Sequence, residues 1–135
     1  MKKNNRWIAG FLCICLAGLA ACSKDMDDKL EGKWQMQQTE ANGNVQKTDT
    51  VFYNFQTSLF QYQLYDARTD TYPGRYGFKT IKGDNELFLQ LETGDDFLKQ
   101  TDWTSKERTF TIEKVTGREL ILTGEDGKRY TFRKF

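Results

Sequence analysis

The sequence predicts an all-β fold, an eight-stranded antiparallel up-and-down meander, and three observations support this prediction. Apolar and polar side chains alternate along most of the chain after Leu30, which is typical of antiparallel strands that bury one face. Turn-forming residues separate the alternating stretches at regular intervals. No segment of convincing length follows the helical period of about 3.6 residues. Such a meander either closes into a barrel or folds over as a sandwich, and closure removes the edge strands.

The first four strands are predicted from short alternating stretches between turns. Trp34 and Met36 alternate with polar neighbours in the first strand, which ends before the turn pair Asn42-Gly43. The second strand follows this turn, and Pro73-Gly74 separates the third strand from the fourth. These strands are predicted at residues 32–40, 49–56, 59–67 and 74–82.

The last four strands show the clearest alternation. Leu87, Leu89 and Leu91 alternate with Phe88, Gln90 and Glu92 in the fifth strand. Near the C-terminus the pair Asp126-Gly127 stands between two alternating stretches, which indicates a two-residue hairpin. These strands are predicted at residues 85–93, 108–115, 118–124 and 127–135. The best candidate for a helical turn is residues 95–100.

The N-terminus has the order of a secretory signal peptide, with basic residues followed by an apolar run. That run is about 15 residues long, whereas a helix that spans a membrane needs about 20. It ends in Leu19-Ala20-Ala21-Cys22, which resembles the lipobox of bacterial lipoproteins and implies that Cys22 is acylated. The prediction is therefore a lipoprotein signal peptide at residues 1–21, an acylated N-terminus and tether at 22–29, and one domain at 30–135.

Cleavage before Cys22 sets the composition of the mature chain. It leaves 114 residues with a net charge of −2, because three basic residues are removed, and no cysteine remains for a disulfide. The charges are interspersed and form no basic stripe, which argues against a nucleic-acid partner. Ser23 after the acylated cysteine resembles the outer-membrane sorting rule of Gram-negative lipoproteins. The acidic residues that follow resemble surface-export signals or form a soluble spacer. We expect an envelope protein, lipid-anchored in the outer membrane, periplasmic or surface-exposed.

Several motifs resemble the small lipocalin-like, calycin-type lipoproteins of Bacteroidota, a family mostly without assigned activity. Gly32-Lys33-Trp34 matches the lipocalin Gly-X-Trp, and further matches are Tyr53-Asn54-Phe55, Gly74-Arg75-Tyr76-Gly77 and the last hairpin. The resemblance implies a lipocalin-like barrel. It also implies that Gly32 and Trp34 belong to its closed end, where Arg129 or Arg133 covers the indole ring through a cation–π contact.

The residues available for chemistry argue against an enzyme. The chain has no histidine, which removes the usual general base and the commonest metal ligand. None of the mature serines lies in Gly-X-Ser-X-Gly, and no phosphate loop or dinucleotide fingerprint is present. The acidic residues at 92–102 read as a solvated loop rather than a calcium site. We therefore predict no catalytic residues, no cofactor and no metal.

Aromatic residues near the third and fourth strands and the long 94–107 loop are the candidates for ligand binding. Core packing explains many aromatics in small β domains, and a binding role at an open barrel end is the alternative. The candidate ligand-binding residues are Phe60, Tyr62, Tyr65, Tyr76 and Trp103.

Two functions remain open. The first is binding of a small apolar or glycan ligand, and the second is docking or inhibition of another envelope protein through an exposed patch near the 94–107 loop.

A separate motif concerns modification of the chain. Asp49-Thr50-Val51 resembles the acceptor motif of Bacteroidota O-glycosylation, which implies a glycan on Thr50.

Overall fold

The computed structural model describes residues 25–135, so the predicted signal peptide, Cys22 and Ser23 lie outside the described residues. Residues 25–135 contain nine β-strands and two helical segments. The helices are α1, residues 25–30, and α2, Asp95–Leu98. Among residues 25–135, no helical segment is long and apolar enough to cross a membrane. The strands are β1 Gly32–Ala41, β2 Asn44–Lys47, β3 Val51–Gln56, β4 Leu59–Leu64, β5 Gly74–Lys82, β6 Glu86–Leu91, β7 Glu107–Val115, β8 Glu119–Gly124 and β9 Arg129–Lys134.

The strands form a closed antiparallel barrel. Each strand from β3 to β8 pairs with the next one along the chain, and β1 pairs with both β3 and β9. Eight strands therefore close on themselves, which confirms the predicted eight-stranded meander and its barrel form. α2 lies within residues 95–100, where a helical turn was predicted.

The short strand β2 was not predicted. It pairs with the second half of β1 through a tight turn at Asn42 and Gly43, both of which have positive φ angles. β3 pairs with the first half of β1, so β2 extends the sheet along the same side of β1. All four residues of β2 are exposed, so the strand has no apolar alternation from which it could be recognised.

The barrel interior is filled by side chains. Alternate residues of every barrel strand point inward, and the fully buried ones include seven aromatic rings. These rings are Trp34, Tyr53, Phe55, Phe60, Phe110, Tyr130 and Phe132. Eight strands leave room for a packed core or one small ligand, and here the middle of the barrel is packed. We use "closed end" for the end where β1 begins and β9 finishes, and "mouth" for the opposite end.

The helix α1 covers the closed end. Leu30 is fully buried there, and its carbonyl oxygen accepts a hydrogen bond of 2.8 Å from the indole nitrogen of Trp34. Asp27 pairs at 2.8 Å with the ammonium group of Lys79, whose side chain is 1% exposed. The second half of the predicted tether is therefore helical and docked. Met26 packs against the core one helical turn before Leu30, which supplies the apolar face that a free spacer would lack.

Lys134, rather than Arg129 or Arg133, covers the ring of Trp34. The ammonium nitrogen of Lys134 lies 4.5 Å from the ring centroid, and the two residues are directly paired across β1 and β9. Arg133 directly precedes Lys134 on β9, and neighbouring residues of a strand point to opposite faces, so Arg133 points to the outside. The predicted arginine partner is therefore wrong. Gly32 has a φ of +117°, and a Cβ there would lie 2.5 Å from the Lys134 ammonium nitrogen. The glycine is needed for the backbone angle and for this close approach.

Candidate functional site

The mouth of the barrel is plugged by Trp103, which comes from the connection between β6 and β7. Its side chain is 4% exposed, and the indole N–H donates to the hydroxyl oxygen of Tyr53 at 3.0 Å. The indole stacks on Phe60 at 5.9 Å and meets the Tyr62 ring edge-on at the same distance. The connection that carries α2 is therefore folded into the barrel rather than extended into solvent.

A polar network holds this connection in place. Asp102 accepts hydrogen bonds from the Lys128 ammonium at 3.1 Å and from the Tyr130 hydroxyl. Arg108 donates to the Tyr130 oxygen at 2.8 Å, and the closest Arg108 nitrogen to Asp102 is 3.7 Å away. The Arg108 guanidinium also lies 4.5 Å from the centroid of the Phe110 ring. One carboxylate thus links the plug to β7, β9 and the turn before β9.

The three buried tyrosines around the plug are neutral. Burial raises the pKa of Tyr53, Tyr62 and Tyr130 above the ordinary value of 10.0. The nearby negative charge of Asp102 acts in the same direction on all three. These hydroxyls therefore act as hydrogen-bond donors and acceptors at neutral pH, and none is poised to act as a base or nucleophile.

A cleft of about 310 Å³, here called the mouth cleft, opens between the β1–β2 hairpin and the plug. Its floor is apolar and consists of Met36, Val51 and Tyr62, and Tyr62 is only 2% exposed. The rim is polar and includes Thr39, Lys47, Gln100, Asp102 and Lys128. Three of the eleven lining residues are apolar and eight are polar, so the cleft is more polar than a typical small-ligand site, which is mostly apolar with a few polar groups.

A second depression of about 470 Å³ lies outside the barrel wall, on the other side of the plug. Its polar groups largely pair with the protein itself. Glu125 accepts from the backbone N–H of Thr109 at 2.9 Å, and Glu107 accepts from the Gln90 amide at 3.2 Å. Within residues 25–135 there is no group of three acidic, histidine or cysteine side chains that could hold a metal ion. We therefore regard the mouth cleft as the candidate site.

The predicted ligand-binding residues do not surround one cavity. Phe60 and Trp103 pack against each other in the core, and Tyr62 forms part of the cleft floor. Tyr65 lies on the connection after β4, where its hydroxyl donates to Asp70 at 2.7 Å. Tyr76 is 64% exposed on the outer wall of the barrel, because it occupies an outward-facing position of β5. The five candidate residues are therefore divided among the core, the cleft floor and the outer surface, and only Tyr62 lines the cleft.

Sequence reasoning missed the polar residues of the site. The sequence pattern places Asp102 in an acidic loop, and it does not mark Arg108 or Lys128 as site residues. Their partners are distant in sequence, since the hydrogen bond from Lys128 to Asp102 spans 26 residues. Met36 was recognised as an inward-facing strand residue, but its position at the mouth depends on where β2 and the plug lie.

Comparisons with known proteins agree with the barrel fold. Residues 15–135 match a family described as a lipocalin-like domain. A solved lipocalin-like protein from Bacteroides uniformis ATCC 8492 is 29% identical, with a TM-score of 0.70, over 79% of this chain and 99% of that chain. A solved uncharacterized protein from Bacteroides eggerthii DSM 20697 is also 29% identical with a TM-score of 0.70, over 78% and 99%. No curated protein matches the chain.

Proposed function

Because this chain belongs to the lipocalin-like domain family, we propose that it is a lipid-anchored envelope protein that binds one small ligand at the mouth of its barrel. The observation that carries this proposal is the mouth cleft, whose apolar floor reaches the buried ring of Tyr62. The plug and the packed interior limit the depth of the site. A ligand therefore occupies the cleft rather than the middle of the barrel.

The chemistry of the cleft defines the class of ligand. Met36, Val51 and Tyr62 would contact an apolar body, while Lys47 and Lys128 would face its polar end. A volume of about 310 Å³ is at the small end of ligand sites, which are about 300–1,000 Å³. A small apolar molecule with a polar end fits this arrangement, and a single sugar unit that hydrogen-bonds to the polar rim is the glycan alternative. The role is binding without catalysis, since the tyrosines are neutral and the chain has no histidine.

The membrane anchor in this proposal is supported by the sequence before the barrel. A basic start, an apolar run and Leu19-Ala20-Ala21-Cys22 form the pattern expected of an acylated N-terminus, with the outer membrane as the proposed location. Thr50, the proposed O-glycosylation site, is exposed at the bend between β2 and β3. The intact mass of the native protein tests both modifications, because acyl chains and a glycan add different masses to the chain.

Docking of another envelope protein is the second candidate function, but its predicted surface is not formed. Phe97 and Trp103 of the 94–107 loop are 5% and 4% exposed, so this loop offers no aromatic patch. The exposed apolar side chains lie elsewhere on the barrel.

Blocking the mouth cleft tests the proposed ligand site. Thr39 lines the cleft, so Thr39→Trp should fill it, whereas Thr131→Trp adds the same side chain outside the barrel on the neighbouring strand. Native mass spectrometry of protein isolated from its own envelope should show a small adduct on wild type and on Thr131→Trp, and none on Thr39→Trp. An adduct that persists equally in Thr39→Trp would exclude the mouth cleft as the site.

A further inference from the structure

One wall of the barrel carries exposed apolar side chains on two adjacent strands. Leu59 on β4 and Phe78 on β5 are direct cross-strand partners, and they are 44% and 48% exposed. Tyr76 lies two residues before Phe78 on the same outward face and is 64% exposed. We call these three residues the apolar wall. Three neighbouring large apolar side chains mark a contact surface more strongly than scattered single ones.

The outward neighbours of Leu59 and Phe78 are uncharged. No residue from 50 to 65 carries a charge, and this stretch includes all of β3 and β4. The outward residues beside the wall on β3, β4 and β6 are the amides Asn54, Gln56, Gln61 and Gln90. The charged neighbour is the exposed Glu92, whose backbone N–H donates to the carbonyl oxygen of Tyr76 at 2.8 Å. Burying a charged side chain in an apolar medium is costly, whereas amides at the edge of a contact keep hydrogen bonds to water. Leu59 and Phe78 can therefore enter an apolar medium without desolvating an ion, while Glu92 lies beside Tyr76 at the edge of the wall.

The apolar wall also lies near the point where the anchor leaves the domain. Leu59 directly follows the turn between β3 and β4, which is at the closed end. Phe78 is followed by Lys79, whose ammonium pairs with Asp27 of α1. Cys22 is three residues before residue 25, and an extended chain covers at most about 3.6 Å per residue, so these positions are at most about 11 Å apart. An acyl chain on Cys22 would hold the closed end at the membrane surface.

The geometry points to a lipid bilayer as the partner of the apolar wall. The barrel rests on the membrane with its closed end down and leans toward β4 and β5. Leu59 and Phe78 contact the acyl region, and the Tyr76 ring lies at the level of the headgroups, where tyrosine is enriched. The mouth cleft then faces away from the membrane. This inference rests on the proposed acylation of Cys22, because that anchor sets which end of the barrel meets the bilayer.

Quenching by spin-labelled lipids tests the orientation. The acylated protein is reconstituted in phosphatidylethanolamine–phosphatidylglycerol vesicles that contain doxyl lipids, and a fluorophore is placed on one engineered cysteine. The label sites are Gln56→Cys beside the apolar wall, Arg133→Cys at the closed end of the far wall, and Lys99→Cys at the mouth. We expect several-fold stronger quenching at 56 than at 133, and the weakest quenching at 99. Equal quenching at 56 and 133, or the strongest quenching at 99, would overturn the inference.

Variants of the apolar wall complete the test. Leu59→Gln with Phe78→Gln should lower the quenching at 56 to the level at 133, while Val45→Gln, an exposed apolar residue on β2, should leave it unchanged. All three residues are exposed, so the thermal midpoint should stay near that of wild type, which shows that the variants fold. Cross-linking from position 56 to a second copy or another envelope protein, with no lipid quenching, would assign the wall to that partner instead.

The anchor and the apolar wall can fail separately. An intact mass without acyl chains overturns the proposed anchor, and this inference falls with it. An acylated protein whose label at 56 is quenched no more than the label at 133 overturns only the inference.

Discussion

Replacing Trp103 with alanine removes the side chain that plugs the mouth of the barrel. The indole is 4% exposed and contacts the rings of Tyr53, Phe60, Tyr62 and Phe110. A buried aromatic of this size covers about 200 Å², and at about 25 cal/mol per Å² this burial is worth about 5 kcal/mol. Large aromatic-to-alanine changes in cores cost about 3–5 kcal/mol. We expect Trp103→Ala to lower the free energy of unfolding by about 3–5 kcal/mol, a large part of the stability of a domain of this size.

A matched variant separates packing from hydrogen bonding. Trp103→Phe keeps a ring in the core but leaves the Tyr53 hydroxyl without the indole donor, and we expect a smaller loss of about 1–3 kcal/mol. Urea unfolding followed by far-UV circular dichroism measures both losses independently of tryptophan fluorescence. A loss below about 1 kcal/mol for Trp103→Ala would show that the connection from β6 to β7 does not pack into the barrel, and the proposed plug would be wrong.

Three further predictions concern the closed end and the response to pH. Lys134→Met should lower the unfolding free energy by about 1 kcal/mol, because it removes the cation over the buried indole, whereas Arg133→Met should change it by less than about 0.5 kcal/mol. Asp27→Asn should lower the unfolding free energy by about 1–2 kcal/mol in the same assay, because it leaves the buried Lys79 ammonium without its carboxylate. The loss is moderate because Asp27 itself is half exposed. The control is Asp28→Asn at an exposed neighbouring position, which should have no effect. The three buried tyrosines around the plug have raised pKa values in the folded state, so the folded chain keeps protons that the unfolded chain loses above pH 10, the ordinary tyrosine pKa. Their contribution to stability is complete below that pH and declines above it. Phenolate absorbance from these three tyrosines should appear only as the barrel unfolds. If all six tyrosines show phenolate absorbance before the circular dichroism signal is lost, the packing described here is contradicted.

Much of the fold can be predicted from the sequence because strand alternation is a local signal. Leu87, Leu89 and Leu91 face the interior as their spacing indicates. The Asp126-Gly127 pair lies in the turn between β8 and β9, but the predicted two-residue hairpin is wrong, because the hydrogen bond from the Gly124 N–H to the Lys128 carbonyl oxygen encloses three residues. The same alternation could have identified Lys134, which shares the inward face of β9 with Tyr130 and Phe132. The family resemblance favoured an arginine at this place, and the local period gives the correct residue.

The candidate site could be predicted only in part, because long-range contacts define it. The hydrogen bond between Trp103 and Tyr53 spans 50 residues, and the one between Tyr130 and Asp102 spans 28. No local pattern shows that the 94–107 loop folds inward, so Trp103 could be recognised as an aromatic of interest but not as a plug. The sequence identifies the strand that carries Tyr76, but the prediction did not use the neighbouring residues to decide which face of the sheet the ring occupies. In the structure the ring faces outward.

The most direct test of the ligand site uses the two methionines of residues 25–135. Met36 lies on the floor of the mouth cleft, and Met26 packs under the closed end in α1, so ¹³C-methyl-methionine NMR gives one reporter for each end of the barrel. On titration with anilinonaphthalene sulfonate and with an extract of the native envelope, the Met36 methyl signal should shift in a saturable manner, while the Met26 signal stays in place. Saturable shifts of Met26 alone, or equal shifts of both methyl groups, would contradict a ligand site at the mouth.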